Sequence, residues 1–141
     1  MRFTCWASTS ESIVMNEGTH YRYHAPFDVV VSCDVIEHMV RPGVLIDVAY
    51  RLLRPGGTLV LATPYHGYVK NLAIGVFNRW DAHHGVHWDG GHIKFFSVRT
   101  LKRMVLDHGF ENIRFRFFGR VRYLWKNMIC IARKPTAAVE M

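Results

Sequence analysis

Two short apolar runs constrain this chain more than anything else in it. Phe27-Asp-Val-Val-Val-Ser-Cys33 and Thr58-Leu-Val-Leu-Ala-Thr63 are rich in β-branched residues and almost free of charge. Runs of this length and composition read as strands covered on both faces, the pattern of a parallel sheet. Between them, Pro42 stands where a first helical turn tolerates proline. Val44, Leu45, Val48, Leu52 and Leu53 follow at helical spacing. Arg54-Pro55-Gly56-Gly57 then stops the helix, because proline cannot continue it and glycine supplies the turn. Strand, helix, strand with tight turns is a βαβ unit, which crosses over right-handed.

Beyond Thr63 the pattern changes. Val69, Leu72, Ala73, Val76, Phe77 and Trp80 form an amphipathic stripe that predicts a helix over 69–79, followed by a loop rich in His, Gly and Trp over 81–92. Ser97 reads as the N-cap of a helix over 98–108, with Leu101, Met104 and Val105 inward and Gly109 as its stop. Residues 111–118 alternate, placing Ile113, Phe115 and Phe117 on one side, and 124–132 form a further apolar run. The short connection at 119–123 makes these last two strands an antiparallel pair. The tail over 136–141 reads as frayed.

A chain of 141 residues with 50% hydrophobic content is long and apolar enough for one core. No apolar run reaches the roughly 18 residues of a membrane span, and the first residues do not form a secretory leader. Cys5, Cys33 and Cys130 are far apart and odd in number, which argues against a disulfide scaffold and predicts a reducing cytoplasm; Cys33 and Cys130 read as buried small hydrophobes. The net charge of +7 is concentrated in residues 99–134, where ten Lys/Arg face only Asp107 and Glu111. This reads as the solvated face of a strand and a helix; no Arg-rich run or aromatic signature supports a nucleic-acid partner.

The segments FDVVVSCDVIEHM (27–39), LRPGGTLVLATPYH (53–66) and HIKFFSVRTLKRMVLDHGFENI (92–113), in this order, resemble the C-terminal half of a class I S-adenosylmethionine-dependent methyltransferase. They are most similar to the branch containing the ubiquinone-biosynthesis O-methyltransferases. The resemblance covers about residues 27–134 and implies a truncated Rossmann-like α/β sheet, mostly parallel, with a C-terminal antiparallel strand pair. In such a reading 1–26 replaces or truncates the cofactor-binding half, 27–134 is the C-terminal half of the domain, and 135–141 is a disordered tail. The family's sheet order is 3-2-1-4-5-7-6, and its cofactor sits on a glycine-rich turn of the form D-x-G-x-G-x-G after the first strand. None of the eleven glycines forms that turn, and 26 residues before Phe27 are too few for three strands and two helices. Residues 2–7 are then expected to be a strand, 11–16 a short helical turn, and 8–11 the loop that meets adenine. Without strands one and two, strand 27–33 has an open edge, a liability. It is closed by the N-terminal strand, by a second copy of the chain, or by a separate chain that supplies the missing half.

The resemblance also implies the site. Ser8, Cys33 and Asp34 are the candidates for contacting S-adenosylmethionine. Asp34, Glu37 and His38 follow the strand directly, and a helical turn there would place them on one face, at the position of a segment implicated in binding a divalent ion in the ubiquinone branch. The alternative is that Glu37 and His38 only satisfy local backbone groups. His66 and His92 are candidate general bases near the C-terminal edge of the sheet, where open α/β sheets take ligands; each alone also reads as a solvated loop residue. His83, His84 and His87 offer H-H-x-x-H, which is not a standard zinc spacing. Three functions follow. The chain is a methyltransferase for a small-molecule acceptor that is incomplete on its own. It is a non-catalytic remnant acting through a homodimer or partner chain. Or its basic third binds anions or nucleic acid.

Overall fold

The computed structural model describes residues 2–7, 13–16, 26–84 and 92–136. Six strands form one sheet in the order β2-β1-β3-β4-β6-β5. They are β1 (Arg2–Ala7), β2 (Ile13–Asn16), β3 (Phe27–Cys33), β4 (Leu53–Pro64), β5 (Glu111–Phe118) and β6 (Asn127–Arg133). The helices are α1 (Pro42–Leu52), α2 (Tyr68–Val76), α3 (Trp80–His84) and α4 (Val98–Asp107), with a short 3-10 turn at Ile36–His38.

The βαβ unit is present as expected: β3 and β4 pair in parallel, Val30 opposite Leu59 and Cys33 opposite Ala62. β4 begins at Leu53 rather than Thr58, because residues 54–57 bulge between the Phe27–Leu53 and Val29–Thr58 pairings. Gly56 has φ +75 there, and a Cβ on Gly57 would lie 2.9 Å from the Arg54 carbonyl oxygen, so both glycines are required by the turn.

The β3–β4 pair is the only parallel one among the described strands; β1–β2, β1–β3, β4–β6 and β5–β6 are all antiparallel. The sheet is therefore less parallel than the family pattern implied. The reason lies at the N-terminus. β1 lies beside β3, with Cys5 opposite Ser32 and Ala7 opposite Val30, and β2 folds back on β1. The edge of β3 is thus closed by the chain's own N-terminal strand, the first of the three expected arrangements. The helical turn expected over 11–16 is corrected by the same hairpin, in which Ile13–Asn16 is a strand. The tail beyond Thr136 lies outside the described residues.

One face of the sheet carries the core. Ile46, Ala49 and Leu52 of α1 and Leu101 and Val105 of α4 pack with Val30, Leu59, Leu61, Met128, Cys130 and Ala132 of the strands. Phe115 and Phe117 lie against this cluster, as their alternation predicted. On the opposite face Val29, Val31, Val60, Ala62, Ile129 and Ile131 are only half-buried, so β3 and β4 are not fully covered on both faces as their composition suggested. The Ser97 hydroxyl accepts from the Thr100 amide at 3.2 Å, capping α4 as expected. Cys130 is fully buried and its thiol is pushed up to about 12 by burial, whereas Cys33 is exposed, contrary to expectation. Among the described residues no helix is long and apolar enough to cross a membrane.

Candidate functional site at the ends of the parallel strands

Because β3 and β4 are parallel, their C-terminal ends open at the same edge. At that edge Asp34 adopts a left-handed conformation, φ +51, while its amide donates to the Ala62 carbonyl at 3.0 Å. Asp tolerates this region better than most side chains. The turn drives Val35 and Ile36 into the core, and the following 3-10 turn carries Glu37 inward with them.

Glu37 is 1% exposed. One carboxylate oxygen, Oε2, accepts from the Thr63 hydroxyl at 3.0 Å; the other, Oε1, is buried without a hydrogen-bond partner. Burial raises the pKa of this carboxyl above its ordinary value, and Asp34 adds to the rise; its own backbone amide, the Thr63 hydroxyl and His38 oppose it. The Glu37 carbonyl accepts from the amides of Ile93 (3.0 Å) and Lys94 (2.9 Å), which ties the segment before α4 across the strand ends. That tie brings in His92, whose ring stands edge-on to His38 at 5.0 Å. One ligating atom from each of Glu37, His38 and His92 lies within 4.8 Å of the others.

Of the three residues expected around a metal, the structure groups Glu37 and His38 with His92 and leaves Asp34 apart. Asp34 is excluded from the cluster because its left-handed backbone breaks the helical turn that would have aligned it with Glu37 and His38. His92 replaces it, reached across the sheet rather than along the chain. One carboxylate and two imidazoles suit a divalent cation of the Mn, Fe or Zn kind, and the orphaned Glu37 oxygen is the buried acceptor that such an ion would satisfy.

His66 lies three residues beyond Thr63, nearly buried. Its amide donates to the Phe96 carbonyl at 3.2 Å, and its ring meets Phe95 at 5.0 Å and His83 at 5.9 Å. It is therefore not a solvated loop histidine. Cys33 and Asp34 are exposed at the open end of β3, and the Cys33 thiol is raised by burial and by the Asp34 and Glu37 charges. Ser8 lies outside the described residues. β1 runs antiparallel to β3, so the chain leaves β1 at the end away from Cys33. A strand feeding a glycine cradle would run the other way, and the described residues contain no such cradle for S-adenosylmethionine. The His84 side chain and His87 also lie outside the described residues.

α2 corrects the expected stripe. Its buried residues are Lys70 and Ile74, while Val69, Leu72, Val76, Phe77 and Trp80 beyond it are exposed. Residues 81–84, expected in the loop, belong with Trp80 to the short helix α3. The burial of Lys70 was not legible in the sequence, because a lone lysine between Val69 and Leu72 carries no periodic signal.

A family model described as a methyltransferase domain matches residues 5–114, from β1 into β5. The chain belongs to this methyltransferase family. The observed sheet has the class I fold of S-adenosylmethionine-dependent methyltransferases. The ubiquinone biosynthesis O-methyltransferase of Psychrobacter arcticus is 30% identical over 87 residues, 60% of this chain and 33% of that protein. The chain thus spans about a third of the length of this curated relative. Among solved structures, an O-methyltransferase family protein from Burkholderia thailandensis matches with a TM-score of 0.59 at 19% identity, covering 82% of this chain and 32% of that one. The 1,6-didemethyltoxoflavin-N1-methyltransferase of the same organism, solved with S-adenosylhomocysteine, matches with a TM-score of 0.58 at 14% identity, covering 82% of this chain and 47% of that one.

Proposed function

We propose that this chain carries the acceptor side of an S-adenosylmethionine-dependent O-methyltransferase for a small molecule, with a divalent cation at Glu37, His38 and His92. The observation that carries the reading is the buried Glu37 carboxylate, one oxygen orphaned, grouped with two imidazoles at the ends of the parallel strands. The name of the O-methyltransferase relatives supports a hydroxyl acceptor. Methyl transfer from a sulfonium is an in-line displacement with a neutral leaving group, so alignment, desolvation and a base for the hydroxyl are what the protein contributes. A bound cation would supply Lewis acidity toward that hydroxyl. Glu37 contributes the fixed negative charge, held by Thr63, and His38 and His92 the neutral nitrogen donors. His66, walled by Phe95 and close to His83, is the remaining candidate base. The tie from Glu37 to Ile93 and Lys94 keeps the 92–97 segment across the strand ends.

The competing reading is a non-catalytic member of the family, favoured by the antiparallel course of β1 beside β3. Calorimetric titration of the full chain with S-adenosylmethionine, with and without Mn2+, separates the two. Micromolar cofactor binding, with methyl transfer from labelled cofactor to a small hydroxyl acceptor, supports the first reading. No detectable cofactor binding overturns methyl transfer by this chain.

A further inference from the structure

Behind α2, on the side where Lys70 points inward, lies a cavity of about 640 Å3 between that helix and the β5–β6 connection. Its lining divides by chemistry. Lys70, Arg79 and Arg120 bring three cations, while Ile74, Phe77 and Val121 provide apolar wall. None of the described lining residues is acidic, and among the described residues no carboxylate pairs with any of the three cations.

Lys70 is the unusual member. It is 3% exposed, and its ammonium donates to the Tyr65 carbonyl at 2.7 Å and the Lys126 carbonyl at 3.5 Å. Carbonyls satisfy its protons but do not neutralise its charge. Lysine is almost never buried this way without a counter-charge. Burial, then repulsion from Arg120 and Lys126, lowers its pKa to about 8. A like-charged cluster around an apolar pocket is an arrangement that a negative ligand relieves.

We propose that this cavity binds an amphipathic organic anion, a carboxylate or phosphate monoester on an apolar body. Its charged end sits among Arg79, Arg120 and Lys70, and its body lies against Ile74, Phe77 and Val121. Arginine presents a planar donor fork that fits either oxyanion. His83 also lines the cavity, and its ring is 5.9 Å from that of His66, so the ligand lies beside the candidate base. The inference does not depend on methyl transfer.

The test is calorimetric titration of the full chain, without S-adenosylmethionine or metal. Three probes share one ring system: naphthalene-2-carboxylate, 2-naphthyl phosphate and the neutral naphthalene-2-carboxamide. At least one anion is expected to bind tenfold or more tighter than the amide, and the stronger of the two tells carboxylate from phosphate. Arg120→Gln and Arg79→Gln, each checked for native circular dichroism, are expected to weaken the anion about tenfold and leave the amide unchanged. Equal binding of anions and amide overturns the proposal, whether or not the variants fold. So does a folded pair of variants that bind the anion as the wild type does.

Discussion

Replacing Glu37 by glutamine separates the electrostatic role of this residue from its packing. The amide keeps the volume and can still accept from the Thr63 hydroxyl, now at 3.0 Å from Oε2, but it carries no charge. Two effects follow, of opposite sign. In chelator, the wild-type fold keeps Glu37 protonated to higher pH than the unfolded chain does, because burial raises its pKa above 4.5. Wild-type stability therefore falls as pH rises from that ordinary value through the raised one, and Glu37→Gln escapes the loss. Below pH 4.5 both states are protonated and the difference vanishes. With metal, the order reverses. At a free Mn2+ concentration one hundred times the dissociation constant, a folded-state site is stabilised by about 2.7 kcal/mol. For a domain of this size that raises the melting temperature by roughly 10 °C, and the variant is expected to lose nearly all of it. Thermal melts of both proteins at pH 4 and pH 7.5, in EDTA and in Mn2+, give all the terms. A variant that retains the full metal shift refutes Glu37 as a ligand. A variant less stable than the wild type by the same amount at both pH values in EDTA refutes the argument from burial.

Three further outcomes are expected. Above pH 8 the folded Lys70 gives up its proton while the unfolded chain holds it to about 10.5, so wild-type stability should rise relative to Lys70→Met across that window; the full shift corresponds to about 3 kcal/mol, measured by urea unfolding at pH 7 and 10.5. Gly57→Ala would place a Cβ 2.9 Å from the Arg54 carbonyl, 3.0 Å from Leu53 Cδ2 and 3.2 Å from the Asp28 carbonyl. The backbone must shift, at about 1–3 kcal/mol in the same unfolding assay. Leu61→Ala, at a fully buried position in the middle of β4, should cost about 2–5 kcal/mol without altering cofactor or metal affinity beyond the loss of folded protein.

The central pieces of the fold were legible because each is a local pattern. The two β-branched runs, the Pro42 start and the proline–glycine stop of α1, and the Ser97 cap of α4 all depend on residues within one or two turns of each other. α2 shows where that reasoning fails. Its apolar stripe is real, but the face that turns inward holds Lys70 and Ile74, and Val69, Val76 and Phe77 are left in solvent. Periodicity marks a helix and its two faces; it does not say which face the rest of the protein will cover. The site divides in the same way. Glu37 and His38 were found because they are adjacent in sequence to a strand end, whereas Thr63 and His92 were joined to them by parallel pairing and by two backbone hydrogen bonds from residues 93 and 94.

The amino-acid sequence by itself determined the βαβ unit, the C-terminal antiparallel pair and membership of a methyltransferase family, since these rest on short-range periodicity, turn chemistry and motif order. Only the tertiary structure decided that β1 closes the β3 edge, that His92 rather than Asp34 joins Glu37 and His38, and that Lys70 is buried without an acidic partner among the described residues. Each of those outcomes depends on contacts between segments far apart in the chain, and on a left-handed turn at Asp34 that no periodic pattern announces.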